Sequence, residues 1–316
     1  MQNGQMVMPI SKNKLKYRLV KEFRAHYQLY LLILPSLAYI LIFNYVPMYG
    51  VQIAFKKFSA GLGILDSPWV GLDNFMRFFS SYSSQQIILN TLELSLLNIA
   101  FSFPVPVVLA LLLNRMRSEK YKRLVQTVTY APHFISIVVI VGMLHLFLSP
   151  TTGIINKLVV LLGGEAQLFM GAASWFRPVY ILSGIWQSTG WGMILYLATL
   201  AGVDPSLYEA SYMDGATKWQ QIRYIDVPAL MEVFVIVLIL RMGSIMNTDF
   251  EKVYLMQSTL NLSTSELIST YVYKVGLLQA DYSYSAAVGL FNSVVNTVML
   301  LLVNGSSKRL TGSSLF

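Results

Sequence analysis

The sequence predicts an all-α polytopic membrane protein with six transmembrane helices. Three observations carry that expectation. Hydrophobic residues make up 55% of the 316 positions and charged residues only 12%, against about 25% charged in a usual soluble domain. Six stretches reach the roughly 20 apolar residues needed to cross a bilayer. The 23 Lys and Arg residues are spread unevenly over the segments between them. Because a charged surface keeps a soluble domain dispersed, the composition excludes an ordinary soluble enzyme, and its apolar content excludes a disordered chain. The absence of cysteine excludes a disulfide framework, thiolate zinc sites, iron–sulfur clusters and Cys nucleophiles.

The predicted spans cover residues 27–49, 87–114, 124–148, 179–202, 229–247 and 283–304. The first begins too late and runs too long for a cleavable signal peptide. Pro35, Pro104, Pro106 and Pro132 lie inside spans. A proline interrupts the helical hydrogen-bond ladder, and a bilayer tolerates that where neighbouring helices or a wet cavity take up the freed groups. The spans therefore form one bundle, residues 27–304, between a basic tail (1–26) and a second tail (305–316).

Orientation follows from the cations. Lys12, Lys14, Lys16, Arg18, Lys21 and Arg24 precede the first span. Arg115, Arg117, Lys120, Lys122 and Arg123 join the second and third spans, Lys218 and Arg223 the fourth and fifth, and Lys308 and Arg309 follow the last. That places 15 on one side, against 7 on the other: Lys56, Lys57, Arg77, Lys157, Arg177, Lys252 and Lys274. The positive-inside rule puts both termini in the cytoplasm. The net charge of +8 is thus a topology signal, and no nucleic-acid partner is expected. The outer segments are substantial. One contains an apolar patch, Ile154 to Leu162, too short to span and expected to be interfacial or re-entrant.

Residues 203–228 read VDPSLYEASYMDGATKWQQIRYIDVP. Asp204 is placed to cap a helix beginning at Pro205, and Gly215 after Asp214 to end it in a left-handed C-cap. Thr217 and Gln220 have capping-box spacing for a second helix, which Pro228 ends or hands on to the next span. The expected product is a compact helix–turn–helix at the cytoplasmic face.

Glu209-Ala210-Ser211, Asp214-Gly215-Ala216 and Ile225-Asp226-Val227-Pro228 resemble the EAA loop of ABC importer permeases, with Ser211 replacing the second Ala and Val227 a Leu. Leu34-Pro35-Ser36, Gly71-Leu72-Asp73-Asn74-Phe75, Asn90-Thr91 and Tyr130-Ala131-Pro132 are similar to the carbohydrate-uptake branch. Pro47-Met48-Tyr49-Gly50 and Ala54-Phe55-Lys56 resemble its polysaccharide and complex-oligosaccharide permeases. The resemblance implies a type I importer fold in a bacterial cytoplasmic membrane. It also implies a heterodimer with a second, homologous permease, two ATPase subunits beneath that hold ATP and Mg, and an extracellular solute-binding protein that delivers a carbohydrate. In that assembly Glu209 would be the charged contact to an ATPase, Ala210 and Ser211 would allow close approach, and Gly215 would form the bend. A permease for a non-sugar solute shares the loop and is the alternative.

Polar groups within spans are costly and mark pathways or packing. Trp186, Gln187, Asn292 and Asn296 have the chemistry of a sugar path, aromatic faces and amides. Interhelical hydrogen bonding is the other reading of each. Glu93 and Arg241 either pair with each other or face the partner permease. His26, His133 and His145 form no catalytic set, and the chain has no GxxxxGK[ST] phosphate loop, so it is a transport subunit without a cofactor of its own. A membrane-embedded enzyme would need a buried acid–base set, which the sequence does not offer.

The charge count generates a direct test. Single cysteines at Ser59 and Ser263 react with an impermeant thiol reagent added outside sealed cells, and one at Ser307 does not. Labelling at Ser307 would invert or break the topology.

Overall fold

The computed structural model describes residues 25–311. Lys12 to Arg24, the basic tail on which the orientation partly rests, lie outside the described residues. Among the described residues the chain is all-helical, with only two isolated β-bridges, Lys56 to Trp69 and Ser59 to Gly63. It divides into two units: residues 1–53 with 58–67, and residues 54–57 with 68–316.

In the first unit, α1 (Tyr27–Ile40) runs through one π-helical turn at Leu41–Tyr45 into a tighter 3₁₀ stretch from Tyr49. Pro35 sits inside α1. No residue of α1 is buried, and Leu32, Ile33 and Leu34 are each more than half exposed. An apolar column without protein cover needs lipid or another apolar surface around it.

The second unit holds the remaining helices. α2 (Asp73–Ser80) leads into α3 (Tyr82–Ser102) and α4 (Pro104–Asn114). Phe103 between them keeps helical dihedrals, so Tyr82–Asn114 forms one apolar run of 33 residues. The span expected over 124–148, with Pro132 inside it, is a sharply bent helix pair. α5 (Glu119–Tyr130) passes into a 3₁₀ turn at Ala131–Phe134, the chain extends at Ile135 and Ser136, and α6 (Ile137–Phe147) leaves at 100° to α5. The cause is local. Pro132 has no N–H to continue the ladder, and the Ser136 hydroxyl accepts from the Val139 N–H at 3.4 Å, starting a new helix.

α7 (Ile154–Leu161) is the short apolar patch expected from sequence. Beyond it run α8 (Ala173–Ala201), α9 (Pro205–Met213), α10 (Lys218–Gln221) and α11 (Val227–Met242). α12 (Phe250–Met256), α13 (Leu262–Ser265), α14 (Ile268–Tyr273) and α15 (Tyr282–Thr311) complete the chain. Three described runs are each long and apolar enough to cross a membrane: Tyr27–Phe55, Tyr82–Asn114 and Tyr282–Arg309. The bent pair α5–α6 is a fourth if counted as one. α8 has the length, 29 residues, but carries Gln187, Ser188 and Thr189 midway. α11 has 16 residues, about 24 Å of helix against a hydrocarbon core of about 30 Å.

α8 is the central post, packing on α3, α4, α5, α11 and α13. Around it Leu94, Val141, Phe176, Tyr180 and Val253 form one buried cluster, and Ala110, Leu113, Met193, Tyr196 and Leu230 another. Segments expected on the outer side bond to one another. The Asn261 amide donates to the Met170 carbonyl at 3.1 Å, the Thr264 hydroxyl to the Ala173 carbonyl at 2.9 Å, and Arg77 to Asp281 at 2.7 Å. Segments expected on the inner side meet at Arg115 and Asp226.

Gly190 is what lets α8 reach the end of α5. A Cβ there would lie 2.0 Å from the Thr129 carbonyl oxygen, an impossible contact with backbone. Gly190→Ala is therefore expected to cost about 1–3 kcal/mol and to lower the melting temperature of the detergent-solubilised chain by several degrees. Gly289→Ala, whose Cβ would meet nothing within 4 Å, stays near wild type. Equal melting of the two variants would contradict this packing.

Candidate coupling loop and substrate cavity

The loop forms through its local chemistry. The Asp204 carboxylate accepts from the Ser206 N–H at 2.9 Å, and that bond holds its pKa below the ordinary value. α9 ends in a Schellman arrangement, with the Ala216 N–H on the Ser211 carbonyl at 2.9 Å and Gly215 at φ +72°. Thr217 and Gln220 make the reciprocal capping box. Pro228 does not stop the second helix. From α10 the backbone continues through one π-helical turn, Ile222–Asp226, directly into α11, with Pro228 in its first turn, where the missing N–H has little cost.

The loop is fastened by a ring of side chains that the motif pattern alone did not reveal. Asp226 is fully buried. Its Oδ2 accepts from Arg115 Nε at 2.8 Å and from Nη2, and its Oδ1 from the Tyr208 hydroxyl at 2.7 Å. Arg115 Nη1 donates to Gln221 Oε1 at 3.0 Å, and Gln221 Nε2 donates to the Ser211 hydroxyl at 2.8 Å. That hydroxyl in turn donates to the Tyr208 carbonyl at 2.8 Å. The guanidinium lies over the Tyr208 ring at 4.5 Å. Burial first, then the bond to Asp226, raises the Tyr208 pKa, so the hydroxyl stays a donor. The ring joins α9, α10, the start of α11 and the C-terminal end of α4. It also gives Ser211 a role the resemblance did not: its hydroxyl closes the network, where Ala would leave the Gln221 amide without that acceptor.

The opposite side of α9 is open. Glu209 and Ala210 are exposed, as are Leu207, Tyr212 and Met213, the last at 84%. Asp214 and Gly215 are exposed at the bend, and Ala216 is half-buried. None of the ion pairs among the described residues includes Glu209.

A polar cavity of about 240 Å³ opens between α3, α8, α11 and α12. It is lined by Ser95 and Asn98 of α3, Gln187 and Ser188 of α8, Arg241 of α11, and Asn247, Thr248, Asp249 and Lys252 beyond it. A second cavity, about 230 Å³, shares Asn98, Ser188 and Arg241 and adds His133, Trp191 and Tyr196. His133 stacks on Trp191 at 4.5 Å, nearly parallel.

The four residues expected on a sugar path are not brought together. Gln187 lines the polar cavity. Trp186, one position earlier and so about 100° around the helix, faces an apolar groove with Ile140, Leu144, Phe147 and Leu182. The Asn292 and Asn296 amides both donate to Asn247 Oδ1, at 2.9 and 3.1 Å. Asn296 is buried and accepts the Met246 N–H at 2.8 Å. They therefore hold Asn247, which lines the cavity, from behind.

Of the readings left open for Glu93 and Arg241, the mutual pair is not formed. Glu93 bonds Arg177 at 2.6 Å, and Arg177 also donates to Asn90 at 3.0 Å. Lys252, counted from sequence as an outer-side cation, is buried, with Nζ donating to the Tyr180 carbonyl at 3.1 Å and sitting 4.8 Å from the Tyr180 ring centroid. Burial lowers its pKa to about 8.

Comparison with known proteins agrees with this architecture. Residues 102–312 match the family model described as binding-protein-dependent transport system inner membrane component. Protein LplB of Bacillus subtilis (strain 168) is 47% identical over 91% of each chain. The polygalacturonan/rhamnogalacturonan transport system permease protein YteP of the same organism is 45% identical over 94% of this chain and 92% of its own. A chain in the crystal structure of a bacterial alginate ABC transporter, solved with an alginate pentasaccharide-bound periplasmic protein, superposes with a TM-score of 0.87. It is 39% identical and covers 94% of this chain and all of its own length. The chain belongs to the family of binding-protein-dependent transport system inner membrane components, the membrane-embedded permease subunits of ABC importers.

Proposed function

We propose that this permease conducts a carbohydrate, of oligosaccharide size, across a bacterial cytoplasmic membrane as one half of a heterodimeric channel. It crosses six times with both termini inside. The 15-to-7 cation asymmetry and the separate bonding of outer and inner segments support that topology. A second, homologous permease completes the path, and its surface is one candidate cover for the exposed apolar column of α1. An extracellular solute-binding protein delivers the sugar, by analogy with the alginate transporter, which was crystallised with its pentasaccharide-bound periplasmic protein. ATP and Mg belong to two ATPase subunits docked from the cytoplasm. The sugar reading is preferred to a non-sugar solute because the relatives at 45% and 39% identity are described as transporters of polygalacturonan and rhamnogalacturonan and of alginate.

One observation carries the coupling role. α9 is clamped to the bundle on one side by the Asp226 ring and is exposed and apolar on the other, with Glu209 at its centre. A helix so built transmits displacement instead of absorbing it. Gln187 and Asn247 contact sugar hydroxyls in the cavity, Asn292 and Asn296 position Asn247, and Trp186 lies off the path.

Glu209→Ala removes a charge from a partly desolvated interface, where losing one partner costs about 2–5 kcal/mol, more than tenfold in affinity. Gly215→Val places a β-branched residue at φ +72°, a conformation such residues strongly resist. Both variants are expected to reach the membrane at normal levels, retain less ATPase in a pull-down, and import less sugar. Full ATPase retention with full uptake in both would remove the loop from the coupling mechanism.

A further inference from the structure

Resting on the topology proposed above, we infer that the exposed face of α5 holds an anionic phospholipid of the inner leaflet. Its phosphodiester sits on Arg117, Lys120 and Arg123, and an acyl chain runs along Leu124 and Val128. Five cations stand between Arg115 and Arg123. Two are committed: Arg115 to Asp226, and Lys122 to Glu119 at 3.8 Å. Glu119 is the one carboxylate in residues 115–130, so that pair takes up the local negative charge. Arg117, Lys120 and Arg123 are exposed, and none of the ion pairs among the described residues includes them. A basic run by itself is ordinarily a solvated face. This one continues into a surface that water does not suit.

At about 100° per residue, Lys120, Arg123, Leu124, Thr127 and Val128 lie on one side of α5, with Tyr121 at its edge. Lys122, Val125, Gln126 and Thr129 lie on the other, and each is half-buried. On the open side Tyr121, Leu124 and Val128 are 65%, 58% and 62% exposed. The Thr127 hydroxyl donates to the Arg123 carbonyl at 2.9 Å, so the strip asks for no polar partner. Polarity therefore changes along the helix axis. Cations come first, then a tyrosine, then hydrocarbon, over the roughly 12 Å from Lys120 to Val128. That is the order of a phospholipid read from headgroup to chain, with Tyr121 at the interfacial level such residues favour. Net charge selects the lipid class. Guanidiniums fork the oxygens of a phosphodiester. The quaternary ammonium of a zwitterionic headgroup opposes three cations, whereas an anionic headgroup is attracted by each of them.

The test uses the whole transporter, with both permeases and its ATPases, in phosphatidylcholine bilayers. These carry a trace of phosphatidylglycerol or phosphatidylcholine with a photoreactive acyl chain, and labelled peptides are mapped by mass spectrometry. The expectation is severalfold stronger labelling of residues 121–128 by phosphatidylglycerol, suppressed by unlabelled phosphatidylglycerol and untouched by inorganic phosphate. The combined variant Arg117→Gln, Lys120→Gln and Arg123→Gln loses about tenfold or more of that labelling. Arg117→Lys, Lys120→Arg and Arg123→Lys together keep it. Equal labelling by the two lipids makes the strip a general hydrocarbon contact and overturns the inference. Suppression by inorganic phosphate makes it a free-phosphate site, and labelling only after the ATPases or the second permease are stripped away makes it a subunit interface; either overturns it. Wild-type labelling in the Gln variant does the same. If the Gln variant fails to assemble, the comparison of the two lipids on the wild-type transporter decides alone. Thiol labelling at Ser307 from outside would refute the topology, and with it the leaflet, without changing which lipid labels α5.

Discussion

The structure turns on one buried carboxylate. Asp226 has no exposure and sits where the 203–228 loop becomes α11. An ionised group there is strongly destabilising unless every lone pair is used, and removing one member of such a pair typically costs about 3–5 kcal/mol. Here the use is complete: Arg115 approaches one oxygen with two nitrogens, and Tyr208 and Asn114 reach the other. Since the donors come from different helices, satisfying the carboxylate fixes where α9 stands relative to α4 and α11. The ring then continues through Gln221 to Ser211 and back to Tyr208, so α9 is held at two positions one turn apart. A helix held that way leaves its far side, with Glu209, free to meet another protein.

The same economy of polar groups organises the bundle's interior. Amides that could have faced lipid face one another: Asn292 and Asn296 converge on Asn247, and Asn90 bonds Arg177 and the carbonyls of Ser263 and Glu266. The polar side chains that line the cavity, Gln187 and Ser188 of α8 with Arg241 of α11, stand on one side of α8. The side of α8 that carries Trp186 is apolar. The central helix thus separates a wet surface from a dry one, which a subunit forming half of a path requires.

Much of the loop was legible in the sequence because its determinants lie within a few residues of one another. Asp204 before Pro205, Gly215 after Asp214, and Thr217 three positions before Gln220 state their own geometry. Among the described residues three of the apolar stretches form runs long and apolar enough to cross a membrane, and the 100° break in the third stretch was not legible. Pro132 marks a weak rung without saying whether the chain kinks or turns. The Asp226 ring was hidden because Arg115 stands 111 positions away, and no local pattern ties them. Trp186 and Gln187 line different cavities for a reason the sequence does contain: adjacent helical residues diverge by about 100°. Asn292 and Asn296, one turn apart, were rightly joined to each other, but only packing reveals that they bond Asn247 and not the open space.

The central claim is that Asp226 makes the loop and the spans one mechanical body. It is tested by sugar imported per ATP hydrolysed in the reconstituted transporter carrying Asp226→Asn, Arg115→Gln, or both. The account predicts that each single change keeps the ATPases bound, since the docking side of α9 is untouched, yet lowers the ratio severalfold. It also predicts that the double change is little worse than either single one, because all three break the same ring. A ratio unchanged by the single substitutions, or fully additive losses in the double, would contradict it.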